Sequence, residues 1–172
     1  KAWYFQAYSH NPMAQVFVTK SPPFLLYIDQ LYLHFENTKF LCMVRDPYAV
    51  VEDISRRKVR LGQASRPDIL KIAATHIITC LVSQWKNIHA YPDCSVFLTY
   101  ETMCEEPEHV AQLIRTLVPE LDDLSLRQRI SVKGMYNEDL RNMNEQQIDR
   151  LNKEDFRVIN EIFEPNQDIL KR

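Results

Sequence analysis

The stretch Lys39-Phe-Leu-Cys-Met-Val-Arg-Asp-Pro47 carries an apolar run into a cation, an anion and a proline. An arginine in that place offers a planar fork of N–H donors, matched to a phosphate or a carboxylate. Asp46 and Pro47 are suited to start a helix, the first as cap and the second at a position whose N–H has no partner anyway. The free amides and dipole of such a helix start also favour an anion. Two more polar pairs end β-rich stretches, Lys20-Ser21 after Gln15-Val-Phe-Val-Thr and Tyr100-Glu101 after Ser95-Val-Phe-Leu-Thr. In an open parallel sheet, ligands bind beyond the carboxyl ends of the strands, so these three clusters form the candidate site. On the residues alone Arg45 has two readings. It grips a phosphate, or it pairs with Asp46 or Glu101 and closes the sheet edge.

The elements that must position these groups follow from periodicity. Residues 15–20 and 95–100 read as strands, and Phe40–Val44 as a strand covered on both faces. Ser21 and Pro22 open a helix with Leu25, Ile28, Leu31, Tyr32 and Phe35 on one face, and residues 36–38 form the turn after it. A second helix runs from Pro47, with Val50, Val51 and Ile54 in its stripe and Gly62 as its stop. Residues 68–90 form a long amphipathic helix, and Pro107 opens another through Val110, Leu113, Ile114 and Leu117. Asn144 with Gln147 reads as a capping box ahead of one closing helix through Ile148, Leu151, Phe156, Ile159 and Phe163. Strands alternating with helices predict right-handed crossovers and a parallel, three-layer α/β sandwich, with residues 1–172 as one domain.

Composition narrows the function. A chain of 172 residues, 45% apolar, can build a core, and a net charge of −2 argues against general nucleic-acid binding. No apolar run approaches a membrane span of about 18 residues. Cys42, Cys80, Cys94 and Cys104 are far apart with no C-x-x-C pair, and are expected as free thiols. The five histidines lack ligand spacing, so no metal is expected, and His10 reads as a polar loop residue with the role of a base as the alternative. Arg56, Arg57, Lys58 and Arg60 read as a solvated helix face, and Tyr27, Tyr32 and Tyr136 as core residues or pocket walls. Only two glycines occur, Gly62 and Gly134.

The segments VFVTKSPPF and KFLCMVRDPYAVVED together resemble the core of the P-loop sulfotransferases, which use 3′-phosphoadenosine 5′-phosphosulfate. FLTYETMCEEPEHVAQLIRTLV resembles that family's later strand, Tyr-Glu pair and proline-led helix, and SVKGMYN its nucleotide-covering segment. The resemblance spans nearly the whole chain in order. It implies a P-loop NTPase-like fold and a role for Arg45 on the donor's 3′-phosphate. Lys20 would lie near the transferring sulfuryl group, and Lys133 and Gly134 over the adenine nucleotide. The family's second 3′-phosphate ligand is a serine eight residues after the arginine. Asp53 stands there, with Ser55 two residues on. A carboxylate beside a phosphate is repulsive by about 4 kcal/mol per charge pair at 4 Å and an effective dielectric near 20. Either Asp53 turns away, Ser55 or the basic run takes over, or the phosphate site is poor. The glycine- and lysine-rich donor loop of the family has no counterpart in these residues, and the resemblance places it upstream of Lys1 with the usual glutamate base. In that sense the fold is N-terminally incomplete.

The resemblance implies sulfuryl transfer to a hydroxyl of a carbohydrate or small natural product, releasing adenosine 3′,5′-bisphosphate without a metal. A non-catalytic binding or scaffold protein and another P-loop phosphotransferase are the alternatives. Free thiols point to the cytoplasm, and an upstream anchor would point instead to the Golgi lumen. The oligomeric state is not legible.

Overall fold

The computed structural model describes residue 9 and residues 11–62, 64–127, 129–132 and 136–171. Its centre is a parallel pair, β1 (Phe40–Val44) and β2 (Ser95–Thr99), in the register Phe40↔Ser95 through Val44↔Thr99. A short antiparallel pair, β3 (Ile130–Val132) and β4 (Tyr136–Glu138), stands apart from it.

Between the parallel strands the chain runs through two helices, α2 (Pro47–Arg60) and α3 (Arg66–Ala90). The start of α2 forms as its residues predict: Asp46 caps it by accepting from the Ala49 amide at 2.9 Å, with Pro47 in the first turn. Its end is Gly62 at φ +64, a conformation glycine adopts without a Cβ penalty. Asn37 takes the same left-handed region, at φ 55, in the turn after α1 (Ile28–His34).

Helices cover both faces of the strand pair, giving three layers. Phe40 and Cys42 pack with Ile28, Cys94, Leu31, Ile88 and Tyr91 on one face. Leu98 packs with Val110 and Ile114 of α5 (Pro107–Leu117) on the other, after the short α4 (Tyr100–Glu105). The α/β expectation holds, and the four cysteines are free thiols as expected.

Four local expectations need correction. Residues 15–20 form no strand. β propensity reports fit to a pleated neighbour, and no described strand pairs with this segment. The first helix is split at Tyr27 into a 3₁₀ turn, Pro22–Leu26, and α1, and Ser21 makes no side-chain cap. β1 is covered on one face only: Leu41 and Met43 remain exposed, because α5 lies over β2. Finally, the closing helix is two helices, α6 (Asn144–Ile148) and α7 (Lys153–Phe163), followed by α8 (Gln167–Leu170). The capping box belongs to Asn152 and Asp155, at the start of α7, not to Asn144 and Gln147.

α7 docks on α2 and α3 through the largest core cluster, in which Val51, Leu70, Ala73 and Ala74 meet Leu151, Val158, Ile159 and Phe163. Fully burying side chains such as Ile159 and Phe163 contributes about 1.5–3 kcal/mol each. Polar ties fix the same junction. Arg66, at the start of α3, donates from Nε and Nη2 to the two carboxylate oxygens of buried Asp155, each at 2.9 Å. Glu52 of α2 is 1% exposed, with Arg56 Nε at 3.4 Å and Arg150 Nη1 at 3.7 Å.

The Arg66 bond holds the Asp155 carboxyl below its ordinary 3.8, against the opposing effect of burial. A depressed folded value contributes stability above the unfolded value, lost as pH falls through the folded one. Asp155→Ala, which also removes half of a capping box, should therefore cost about 3 kcal/mol in urea unfolding at pH 7, the low end for breaking a buried pair because Arg66 can still reach water. The deficit should shrink below about pH 4.

Candidate active site

Arg45 leaves the end of β1 as the candidate reading requires, and its surroundings decide what it can do. Its guanidinium carbon lies 4.2 Å from the centre of the Tyr100 ring, which leads out of β2. Nε donates to Asn144 Oδ1 at 2.7 Å and Nη2 donates to Gln147 Oε1 at 2.5 Å. Both amides come from α6, about a hundred residues along the chain, and both are nearly buried, at 9% and 7% exposure. A ring face and two amide oxygens thus hold the fork by one edge and one side.

Neither expected carboxylate takes the arginine. Asp46 is occupied with its cap. Glu101 accepts at Oε1 from the Asp46 amide at 2.9 Å and from Asn144 Nδ2 in a very short bond. Burial raises the Glu101 acid, but the Asp46 amide, its own amide, Asn144 and the nearby Arg45 together hold it below its ordinary value of 4.5. The carboxylate therefore stays ionised and fixes the rotamer of Asn144, which fixes Arg45. Tyr100 donates from its hydroxyl to the Arg141 carbonyl at 2.7 Å, which ties the segment before α6 to the same edge. Burial pushes its phenol up, with smaller effects from Cys104 and Arg45.

Among the described residues the Nη1 donors of Arg45 have no protein acceptor. The site therefore presents a cation with open donors beside the start of α2, whose Ala49 amide is already capped by Asp46.

The other predicted residues are distributed differently. Asp53 is paired with Arg56, at 2.6 Å, and with Arg57 in a shorter contact. Ser55 is fully buried, and its hydroxyl donates to the Glu52 carbonyl at 2.9 Å, so it does not reach the surface. Lys20 stands exposed, in the segment that forms no strand. Lys133, Gly134 and His10 lie outside the described residues. Asn144 and Gln147 were missed as site residues. Their signal was present as two polar residues one turn apart beside apolar positions, but it reads as a helix cap.

Near Arg45 opens a cavity of about 320 Å³ whose walls are mostly apolar, including Leu81, Val82, Trp85, Ile88, Phe97 and Leu170. Among the described residues no group of His, Cys, Asp and Glu forms a metal site, and no helix is long and apolar enough to cross a membrane.

Removing the Glu101 carboxylate leaves the Asp46 N–H and Asn144 Nδ2 without their acceptor. Glu101→Ala should therefore cost about 1–3 kcal/mol in chemical denaturation, and Glu101→Gln, which retains an acceptor oxygen, less than about half of that.

Comparison with known proteins agrees with this architecture. The family model described as Sulfotransferase family matches residues 1–118. No curated protein matches the sequence. Among solved structures, the sulfotransferase domain from the curacin biosynthetic pathway superposes with a TM-score of 0.57 at 17% identity. The match covers 92% of this chain and 66% of that domain, so the chain spans just under two thirds of its length. At that identity the likeness concerns the fold, whereas the match over residues 1–118 shows the kinship: the chain belongs to the sulfotransferase family.

Proposed function

We propose that residues 1–172 form a sulfotransferase-like domain that takes its sulfuryl group from 3′-phosphoadenosine 5′-phosphosulfate, with Arg45 on the donor's 3′-phosphate. The observation that carries this reading is the Arg45 fork, stacked on Tyr100 and oriented by two neutral amides with Nη1 open. An arginine whose task was to close the sheet edge would find a carboxylate, and both nearby carboxylates are engaged elsewhere.

In the proposed reaction the acceptor oxygen attacks sulfur in line, and the bond to the bridging phosphate oxygen breaks with its electron pair leaving on the nucleotide. The acceptor proton passes to a base. Arg45 orients the donor, and Lys20 is assigned to charge on the transferring group. Lys133 and Gly134 are assigned to the nucleotide cover. Asp53 acts through the arginines it holds, and Ser55 is withdrawn from phosphate contact by its burial. Of the two acceptor classes, the apolar walls beside Arg45 favour a small natural product with a hydroxyl over a sugar, whose many hydroxyls would lose water there without partners. A non-catalytic binding role is the second reading, favoured by Lys20 standing exposed in a segment that forms no strand to hold it at the sheet edge.

Titration calorimetry of the full-length protein with adenosine 3′,5′-bisphosphate tests the donor assignment. Arg45→Ala should weaken binding about tenfold to a hundredfold, the range for losing charged hydrogen bonds worth about 1.5–3 kcal/mol. Unchanged affinity removes Arg45 from the site. Binding without turnover on any hydroxyl acceptor supports the second reading.

A further inference from the structure

Asn144 and Gln147 have a feature that helix capping does not explain: both are nearly buried, and both aim their amide oxygens at one guanidinium. Resting on the donor assignment above, we propose that they are positioning residues for phosphate recognition, a neutral clamp that orients Arg45 while leaving its charge to the ligand.

Charge and geometry both favour this role. A guanidinium is fixed most firmly by a carboxylate, which receives two of its N–H groups in parallel. That arrangement also cancels its charge, so an incoming phosphate would have to compete with it. Amide oxygens supply direction without a formal charge. They take Nε and Nη2, at 2.7 and 2.5 Å, and leave Nη1 pointing away from the clamp's two contacts. The anion that stabilises the assembly, Glu101, is set one residue behind: it binds Asn144 Nδ2 rather than Arg45. With Asp46, which caps α2, it supplies the negative charge facing the clamp from the strand ends, and neither forms an ion pair with Arg45. Asn144 is thereby locked in orientation, since its Nδ2 is committed to Glu101 and its Oδ1 must face Arg45. α6 also begins beside the tie between Tyr100 and Arg141 and runs towards Arg150, which reaches Glu52. The clamp is thus held at both ends. Its ligand class is a phosphate monoester dianion, a group with the charge and the acceptor geometry for the open side of the fork.

Gln147→Glu separates positioning from packing. The substituted side chain has the same length and still accepts from Nη2, but it neutralises the arginine. The full-length variant should melt at or above the parent temperature, yet bind adenosine 3′,5′-bisphosphate about tenfold or more weakly, the scale of one charged contact. Where turnover is measured, KM for the donor should rise with kcat little changed. Gln147→Met, neutral and of similar size, should lose less affinity than the glutamate variant. Gln147→Ala, which removes the acceptor and adds no charge, serves if Gln147→Glu does not fold, and should bind the nucleotide about threefold or more weakly. Parent-like affinity in Gln147→Glu, or in Gln147→Ala where the glutamate variant does not fold, overturns the clamp, as does a loss of binding in proportion to lost stability in all three. A parent protein that does not bind the nucleotide overturns the donor assignment itself, and the clamp's ligand with it.

Discussion

Arg45 is held still without being neutralised by an ion pair, and this constraint organises the edge of the sheet; the phosphate-binding role proposed for it needs both conditions. A free arginine side chain carries about 2 kcal/mol of rotamer entropy, which a ligand would otherwise have to remove. An ion pair would remove it in advance but would also oppose the ligand. The arrangement at Arg45 resolves the conflict by distance. The aromatic face and the amides make the contacts, and the carboxylate of Glu101 acts through Asn144. Glu101 also receives the Asp46 amide, so a single charged group fixes both the arginine's support and the start of α2.

That edge is built from three distant parts of the chain, and the helical layer has to bring them together. β1 delivers Arg45, the start of α4 delivers Tyr100 and Glu101, and α6 delivers the amides. α6 has only five residues, too few to be stable alone. The segment C-terminal to α6 sets its place. Leu151 and α7 sit in the core formed by α2 and α3, and the paired hydrogen bonds from Arg66 to Asp155 fix the start of α7. Packing far from the strand ends is therefore part of how Arg45 is aimed.

The same division separates what could be read in the sequence from what could not. Asp46-Pro47 as a helix start, Gly62 as a stop, the helices from Pro47 and Pro107 and the strand at Phe40–Val44 all depend on neighbours within a few residues. Those signals are local and they were legible. Residues 15–20 have strand composition, but a strand exists only against a partner, which composition does not supply. Asn144-x-x-Gln147 and Asn152-x-x-Asp155 carry nearly the same capping pattern. Only the second caps a helix, because the side chains of the first are drawn across the fold to Arg45. Short polar side chains compete among backbone and tertiary partners, and one sequence does not rank those partners.

Asp53 shows how such long-range context changes the meaning of a residue. In the family's pattern its position belongs to a phosphate-binding hydroxyl, and an isolated carboxylate there would repel the same ligand. The carboxylate is not isolated. Asp53 and the neighbouring Glu52 face three arginines, Arg56, Arg57 and Arg150, so the local sum is positive. Arg56 is shared with buried Glu52, itself approached by Arg150, which anchors that side of the helix to the C-terminal layer. The exchange of a hydroxyl for a carboxylate therefore does not by itself turn this face of α2 against an anion. The position holds cations instead, and Arg57 keeps more of its side chain in water than Arg56.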